Sequence, residues 1–252
     1  MRKLVKYLSI SICFFGFSIT YAKEQVTVAV ASNFLLPLQQ VKQRFELQSG
    51  FGVQISSGST AKLYAQLLHG APFDIFLAAD KVTPEKLLQK NKVVAGTLFQ
   101  YASGTLVVYS HKQYASEMQL RQALMANSSE RIAIANPKLA PYGNAAKQVL
   151  NELGMYPSNR KNIVFGENVG QAFQFVYSGN VKWGFVSLSQ VLSRKSSGSH
   201  WILPREWYQP IGQYGVLLNR AESNEVARKF MDYLQSEEIQ RILVEQFGYG
   251  SH

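Results

Sequence analysis

The chain has 252 residues, 46% hydrophobic and 17% charged, with 26 basic side chains against 16 acidic ones and a single cysteine. That length suits one or two domains with a proper core. The net charge of +10 can steer anions, but no Lys/Arg run interleaves with aromatics, so the pattern speaks against nucleic acid as a partner.

The N-terminus reads as a secretory signal peptide. Arg2, Lys3 and Lys6 make a positive start, residues 7–19 form an apolar run too short to span a bilayer, and Thr20-Tyr21-Ala22 ends it on a small residue. Cleavage is expected after Ala22, and the periplasm is the expected compartment. Cys13 sits inside this segment behind Ile12, which is not the small residue that a lipoprotein site needs. The mature chain would keep 230 residues, 23 basic against 16 acidic, for a formal charge of +7 and no cysteine. Disulfides, thiol catalysis and Cys-based metal sites are thereby excluded from it.

Strands and helices alternate from there on. Residues 26–31 (VTVAVA) predict a buried strand, and Phe34, Leu38, Val41 and Phe45 recur at helical spacing before Gly50. Residues 53–56 predict a second strand. Leu63, Tyr64, Leu67 and Leu68 line the helix after it, which Gly70 ends. Residues 73–78 (FDIFLA) predict a third strand, and Thr83-Pro84 a helix start with proline in first position. Further strands are expected over 104–110, 131–135, 162–165, 183–187 and 214–218. Helices are expected over 142–153, over 169–177, and from a Ser223 cap toward Phe247. Such alternation predicts mostly parallel sheets covered by helices. There is no internal repeat and no low-complexity segment.

Polar motifs recur at one architectural position. Ser32-Asn33, Ser59-Thr60, Pro141-Tyr142-Gly143 and Asn168-Val169-Gly170 each follow a strand and open a helix. In open α/β sheets ligands bind beyond the carboxyl ends of strands, and helix starts carry unpaired N–H groups with partial positive charge. Any one of these motifs could be an ordinary N-cap; four together make an anion site if they converge. No Lys, Arg, His, Asp or Glu occurs within residues 31–34, 56–61, 142–146 or 168–170. An amino-acid binder would need charged partners there, whereas a fully deprotonated oxyanion offers only acceptors and is satisfied by neutral donors.

The segments VAVASNF (28–34), SSGSTAKLYAQLLHGAPFDIFLAAD (56–80), APYGNAA (140–146), ENVGQAFQFV (167–176) and WGFVSLSQV (183–191) resemble the periplasmic molybdate-binding proteins of ABC importers. The resemblance runs in order over nearly the whole mature chain, and GAPFDIFLAAD is its most specific block. It implies an α/β, two-lobed periplasmic binding protein of type II, each lobe a mostly parallel sheet flanked by helices, with a cleft between. Lobe I would comprise 23–103 plus 212–252, and lobe II 104–211, after the 1–22 signal peptide. The resemblance implies a monomer that captures molybdate or tungstate, needs no cofactor, and delivers the anion to an inner-membrane ABC permease. The oxyanion would be held by Ser32 and Asn33, by Ser59 or Thr60, and by backbone amides at Tyr142 and Val169. Some members add a Tyr hydroxyl after a late strand; this chain has Ser187 there.

Two other readings compete. The same fold could hold sulfate, phosphate or chromate, since neutral donors do not pick the central atom. Ser59-Thr60-Ala61-Lys62 also fits the S-x-x-K signature of serine acyl-transfer enzymes, with Tyr142-Gly143-Asn144 as a second element. The third element is missing, since Lys195-Ser196-Ser197-Gly198 is one residue too long. Lys62 is therefore expected to be solvated and the chain not to be an enzyme. His69, His111, His200 and His252 share no metal-ligand spacing. Phe165, Phe173, Phe175 and Trp183 are expected in the core, and Asp74 and Asp80 in structural roles.

Overall fold

The computed structural model describes residues 24–126, 130–156, 160–194 and 197–250. The expected signal segment with Cys13, as well as Lys195, Ser196 and His252, lies outside the described residues.

The chain runs β1 (Gln25–Ala31), a 3-10 turn (Ser32–Phe34), α1 (Leu35–Ser49), β2 (Gly52–Gly58), α2 (Thr60–Leu68), β3 (Ile75–Ala78), α3 (Val82–Gln89) and β4 (Phe99–Gly104). It continues through β5 (Leu106–Ser110), α4 (Glu117–Ala126), β6 (Ile132–Ala135), α5 (Pro141–Glu152), β7 (Ile163–Gly166), α6 (Val169–Tyr177), β8 (Trp183–Ser187), α7 (Leu188–Ser193) and β9 (Ser199–Ile202). Then come β10 (Ile211–Leu217), α8 (Glu225–Gln235) and α9 (Glu237–Phe247).

Two five-stranded sheets result, in the orders β2-β1-β3-β10-β4 and β7-β6-β8-β5-β9. In the first, β1 pairs parallel with β2 and β3, while β10 is antiparallel to β3 and β4. In the second, β6 pairs parallel with β7 and β8, while β5 is antiparallel to β8 and β9. Each sheet thus has four strands running one way and one running against them, so "mostly parallel" holds for strand direction while each sheet is mixed in its pairing. Two lobes follow, one built on each sheet.

Burial on both faces explains why the strands read as unbroken apolar runs. Val28, Val30, Ile75 and Leu77 face a core with Phe34, Leu38 and Phe230. The alternate residues Ala29, Phe76 and Ala78 face a second cluster with Leu63, Leu67 and Leu87. This is the period of two that a pleated strand imposes. The second sheet has one cluster, built around Trp183, Tyr109, Phe173 and Phe185.

Several expectations need correction. The stretch 104–110 is two elements, because Gly104 ends β4 and Leu106 begins β5, with Thr105 carrying the chain from one sheet to the other. Strands β4 and β9 and helices α4 and α7 had no clear sequence signal. Pro84 is the third residue of α3, not its first, and Asp80 holds that turn by accepting from Thr83 N at 2.7 Å. The final helical stretch is two helices, capped by Asn224 and Ser236 rather than Ser223. Leu68 and Phe165 are exposed, at 37% and 42%, so neither belongs to a core face. Asp74 is structural, as expected: it is buried, accepts from Thr27 N and Oγ1 at 2.7 Å each, and lies 3.6 Å from Arg220.

Candidate anion-binding site

The four helix starts converge. Ser32, Asn33, Ser59, Thr60, Tyr142 and Val169 all line one small cavity between the lobes, together with small residues such as Gly58, Ala79 and Ala140. The space it leaves for a water-sized sphere is about 10 Å³, close to the least that admits one water molecule. None of the residues lining it is charged.

The first lobe presents hydroxyls. Ser59 is the N-cap of α2, and its Oγ accepts from Lys62 N at 3.4 Å. Thr60 Oγ1 accepts from Ala79 N at 3.2 Å, and Ser32 Oγ accepts from Gly170 N of the other lobe at 3.2 Å. Each oxygen therefore has a lone pair engaged by a backbone N–H. Its own proton is left to turn toward the cavity, which makes it a donor. Ser59 and Thr60 both reach the cavity, so the choice between them is not forced by position.

The second lobe presents backbone. Tyr142 follows Pro141 at the start of α5, and Val169 is the first residue of α6. In both first turns the next N–H is already engaged, Gly143 N with Ala140 O at 2.9 Å and Gly170 N with Ser32 Oγ. The N–H groups of Tyr142 and Val169 lie in the turn that has no helical acceptor. Asn168 caps α6 through Gln171 N at 3.0 Å, which fixes where that turn points.

Gly143 explains why α5 can start here. A methyl group in its place would overlap the Ala135 carbonyl oxygen at the end of β6. The helix start thus lies directly against the strand end, a seat that only glycine permits.

Asn33 plays a different part from the one its position implied. Its side chain is buried, and Nδ2 donates to Gln213 Oε1 at 2.8 Å and to Tyr249 OH at 3.1 Å. With both amide hydrogens engaged, the side chain braces the turn, and what it can still offer an anion is its backbone N–H. Its Oδ1 has no partner among the described residues.

Ser187 does not line the cavity. It caps α7 with Gln190, and its Oγ donates to Tyr142 OH at 3.1 Å and lies 2.7 Å from Ser189 Oγ. Ser189 Oγ in turn donates to Asn33 O at 3.0 Å and lies 3.1 Å from Tyr249 OH. Sequence reasoning missed Ser189, Gln213 and Tyr249, which with Ser187 form a buried polar chain behind the cavity, from Tyr142 in one lobe to Asn33 in the other. Burial raises the phenol pKa of Tyr142, Tyr249 and Tyr101 well above the ordinary tyrosine value. All three stay neutral, so this chain of hydrogen bonds carries no charge at physiological pH.

The S-x-x-K pair does not assemble as a nucleophile and base. Lys62 Nζ reaches Glu167 Oε1 at 2.9 Å across the cleft, and only the Lys62 backbone approaches Ser59. Lys62 is thus paired rather than simply solvated. Among the described residues, no three His, Cys, Asp or Glu side chains gather where they could hold a metal ion.

The lobes touch at several points around the cavity. Besides the Ser32–Gly170, Ser189–Asn33 and Lys62–Glu167 contacts, Ala61 N donates to Leu139 O at 3.1 Å. The cleft is closed.

Comparison with known proteins identifies the family. Residues 26–250 match the family model described as bacterial extracellular solute-binding protein. The molybdate-binding protein ModA of Azotobacter vinelandii is 42% identical, over 90% of this chain and 90% of its own length. That of Rhodobacter capsulatus is 36% identical, over 93% and 91%. The solved structure of an Azotobacter vinelandii periplasmic molybdate-binding protein superposes with a TM-score of 0.83 at 36% identity, covering 90% of this chain and 99% of that one. With Lys62 drawn to Glu167 and no base beside Ser59, the helix starts hold donors without a nucleophile, and this chain belongs to the bacterial extracellular solute-binding protein family.

Proposed function

We propose that this chain captures molybdate, or tungstate, in the periplasm and delivers it to an ABC permease in the inner membrane. The observation that carries this reading is the convergence of four helix starts on one small cavity lined by no charged residue. Relatives at 36–42% identity that bear the name molybdate-binding protein support it.

In this reading the anion sits among Ser32, Ser59 and Thr60 hydroxyls and the backbone N–H groups at Asn33, Tyr142 and Val169. Each donor to a charged acceptor is worth about 1.5–3 kcal/mol net, so several together offset much of the anion's desolvation without a counter-charge. Anions of equal charge are separated by size. A stiff closed cradle fits one metal–oxygen length, and a shorter oxyanion such as sulfate leaves donors unmade. Contacts from both lobes favour the closed state when the anion is bound. Lobe I is taken as 23–103 plus 212–252 and lobe II as 104–211. The mature protein is taken as a monomer released by cleavage after Ala22.

Isothermal titration with molybdate, tungstate, sulfate and phosphate tests the reading. Micromolar or tighter binding of the first two is expected, with the others at least about a hundredfold weaker, roughly 2.7 kcal/mol. Flat heats with molybdate, or tighter binding of sulfate, would overturn it.

A further inference from the structure

We infer that Lys62 and Glu167 form a latch across the mouth of the cleft that sets how long the anion stays, and that Lys62 helps to draw the anion in when the lobes are apart. The inference rests on the anion-capture reading above.

Both residues belong to the cradle's own turns. Lys62 is the third residue of α2, just past Ser59 and Thr60, and Glu167 lies two residues before Val169. The cavity itself is lined by no charge, so these are the ionised groups closest along the chain to two of the four helix starts. Their contact, 2.9 Å between Nζ and Oε1, joins one lobe to the other. The pairs Lys182–Glu130 and Arg220–Asp74, by contrast, each stay within one lobe.

The backbone on either side is already held. Ala61 N donates to Leu139 O at 3.1 Å, so the start of α2 is pinned against the second lobe beside Lys62. Glu167 N donates to Gln171 Oε1 at 2.7 Å, which fixes the chain leading into α6. The two side chains therefore meet only when both starts are seated. Their side chains remain 53% and 43% exposed, and a solvated pair of this kind changes an equilibrium or a rate by up to roughly fivefold. That is too weak to close the cleft and enough to alter release.

Opening the cleft breaks the pair, because its members sit on opposite lobes. Lys62 then stands unpaired at the lip of the first half-site, beside hydroxyls that bind an anion. Its attraction acts within about 10 Å at 0.1 M salt. On closure Glu167 takes up the ammonium, and the cation's role passes from attraction to holding.

The test is stopped-flow mixing of the mature protein with sodium molybdate, read by intrinsic tyrosine and tryptophan fluorescence, with the equilibrium constant from calorimetry. Lys62→Met is expected to raise the release rate roughly two- to fivefold. It should also slow association at low salt, and that deficit should vanish near about 1 M salt, where the screening length is about 3 Å. Glu167→Gln is expected to raise release similarly without slowing association. The reversed pair, Lys62→Glu with Glu167→Lys, is expected to bring release back toward the wild-type rate. Wild-type release rates in both single variants, or a reversed pair that releases as fast as either, would overturn the latch. Association unchanged by Lys62→Met at low salt would overturn its attracting role. A wild-type protein that gives no heat with molybdate would instead overturn the capture reading on which the latch depends.

Discussion

The two halves of the cavity do the same job with different chemistry. The first lobe offers side-chain hydroxyls on Ser32, Ser59 and Thr60, each with its oxygen occupied by a backbone N–H. The second offers the first turns of α5 and α6 at Tyr142 and Val169, with no hydroxyl lining the cavity except on a tyrosine whose OH points away to Ser187. A hydroxyl can rotate to meet an anion and can be deleted by mutation. A helix N–H cannot rotate, and its position is fixed by how the helix start packs on the sheet. One half is adjustable, and the other half is the ruler.

The ruler is therefore expected to be the more fragile half. Gly143→Ala forces a methyl group into the Ala135 carbonyl oxygen, so the α5 start must move off the end of β6. We expect the largest loss of anion affinity here, about 2–4 kcal/mol from displaced donors and overpacking, measured by calorimetry alongside thermal unfolding. Unchanged affinity in a folded variant would show that the α5 start is not a fixed donor. On the adjustable side, Ser32→Ala and Ser59→Ala should each weaken binding by roughly 1–3 kcal/mol without unfolding the protein. Wild-type affinity in both variants would place the anion elsewhere.

The smallest effect separates the Tyr142 backbone from its ring. Tyr142→Phe removes the bond to Ser187 and keeps the N–H, so stability should fall by about 1 kcal/mol while affinity stays within about twofold. The ring's role also fixes a sign with pH. Burial raises the folded pKa of Tyr142 and Tyr249 above the unfolded value near 10. Stability they contribute is intact below about pH 10 and falls as pH rises above it, since the unfolded state ionises first. Alkaline unfolding followed by circular dichroism should begin there, and in Tyr142→Phe the loss with pH should be shallower.

Much of the fold could be read from runs of apolar residues buried on both sides, as in VTVAVA and WGFVS, whose patterns became β1 and β8 almost to the residue. Strands β4 (FQYASG) and β9 (SHWI) could not, because polar residues break up both short runs. Helix α4 buries only Leu120 and Leu124, and α7 has six residues, too few for a period to declare itself. At the cavity, the helix starts were legible because caps and small residues are local signals. The bracing was not. Asn33 meets Gln213 and Tyr249, which are 180 and 216 residues further along the chain, and no local pattern announces a partner at that distance. The same holds for Lys62, whose partner Glu167 is 105 residues away.

The crossing points between the sheets have a mechanical meaning. The chain leaves the first sheet after Gly104 and re-enters it at Ile211, and these two residues are register partners in the β4–β10 ladder. Exit and return are thus stapled side by side. A joint made of two adjacent, hydrogen-bonded straps bends easily about the line through them and resists shear and twist. Such a joint favours one bending direction over the others. A jaw with such a pivot brings its teeth together at the same place on each stroke, so alignment of the half-sites is a property of the pivot and need not be searched for each time an anion arrives.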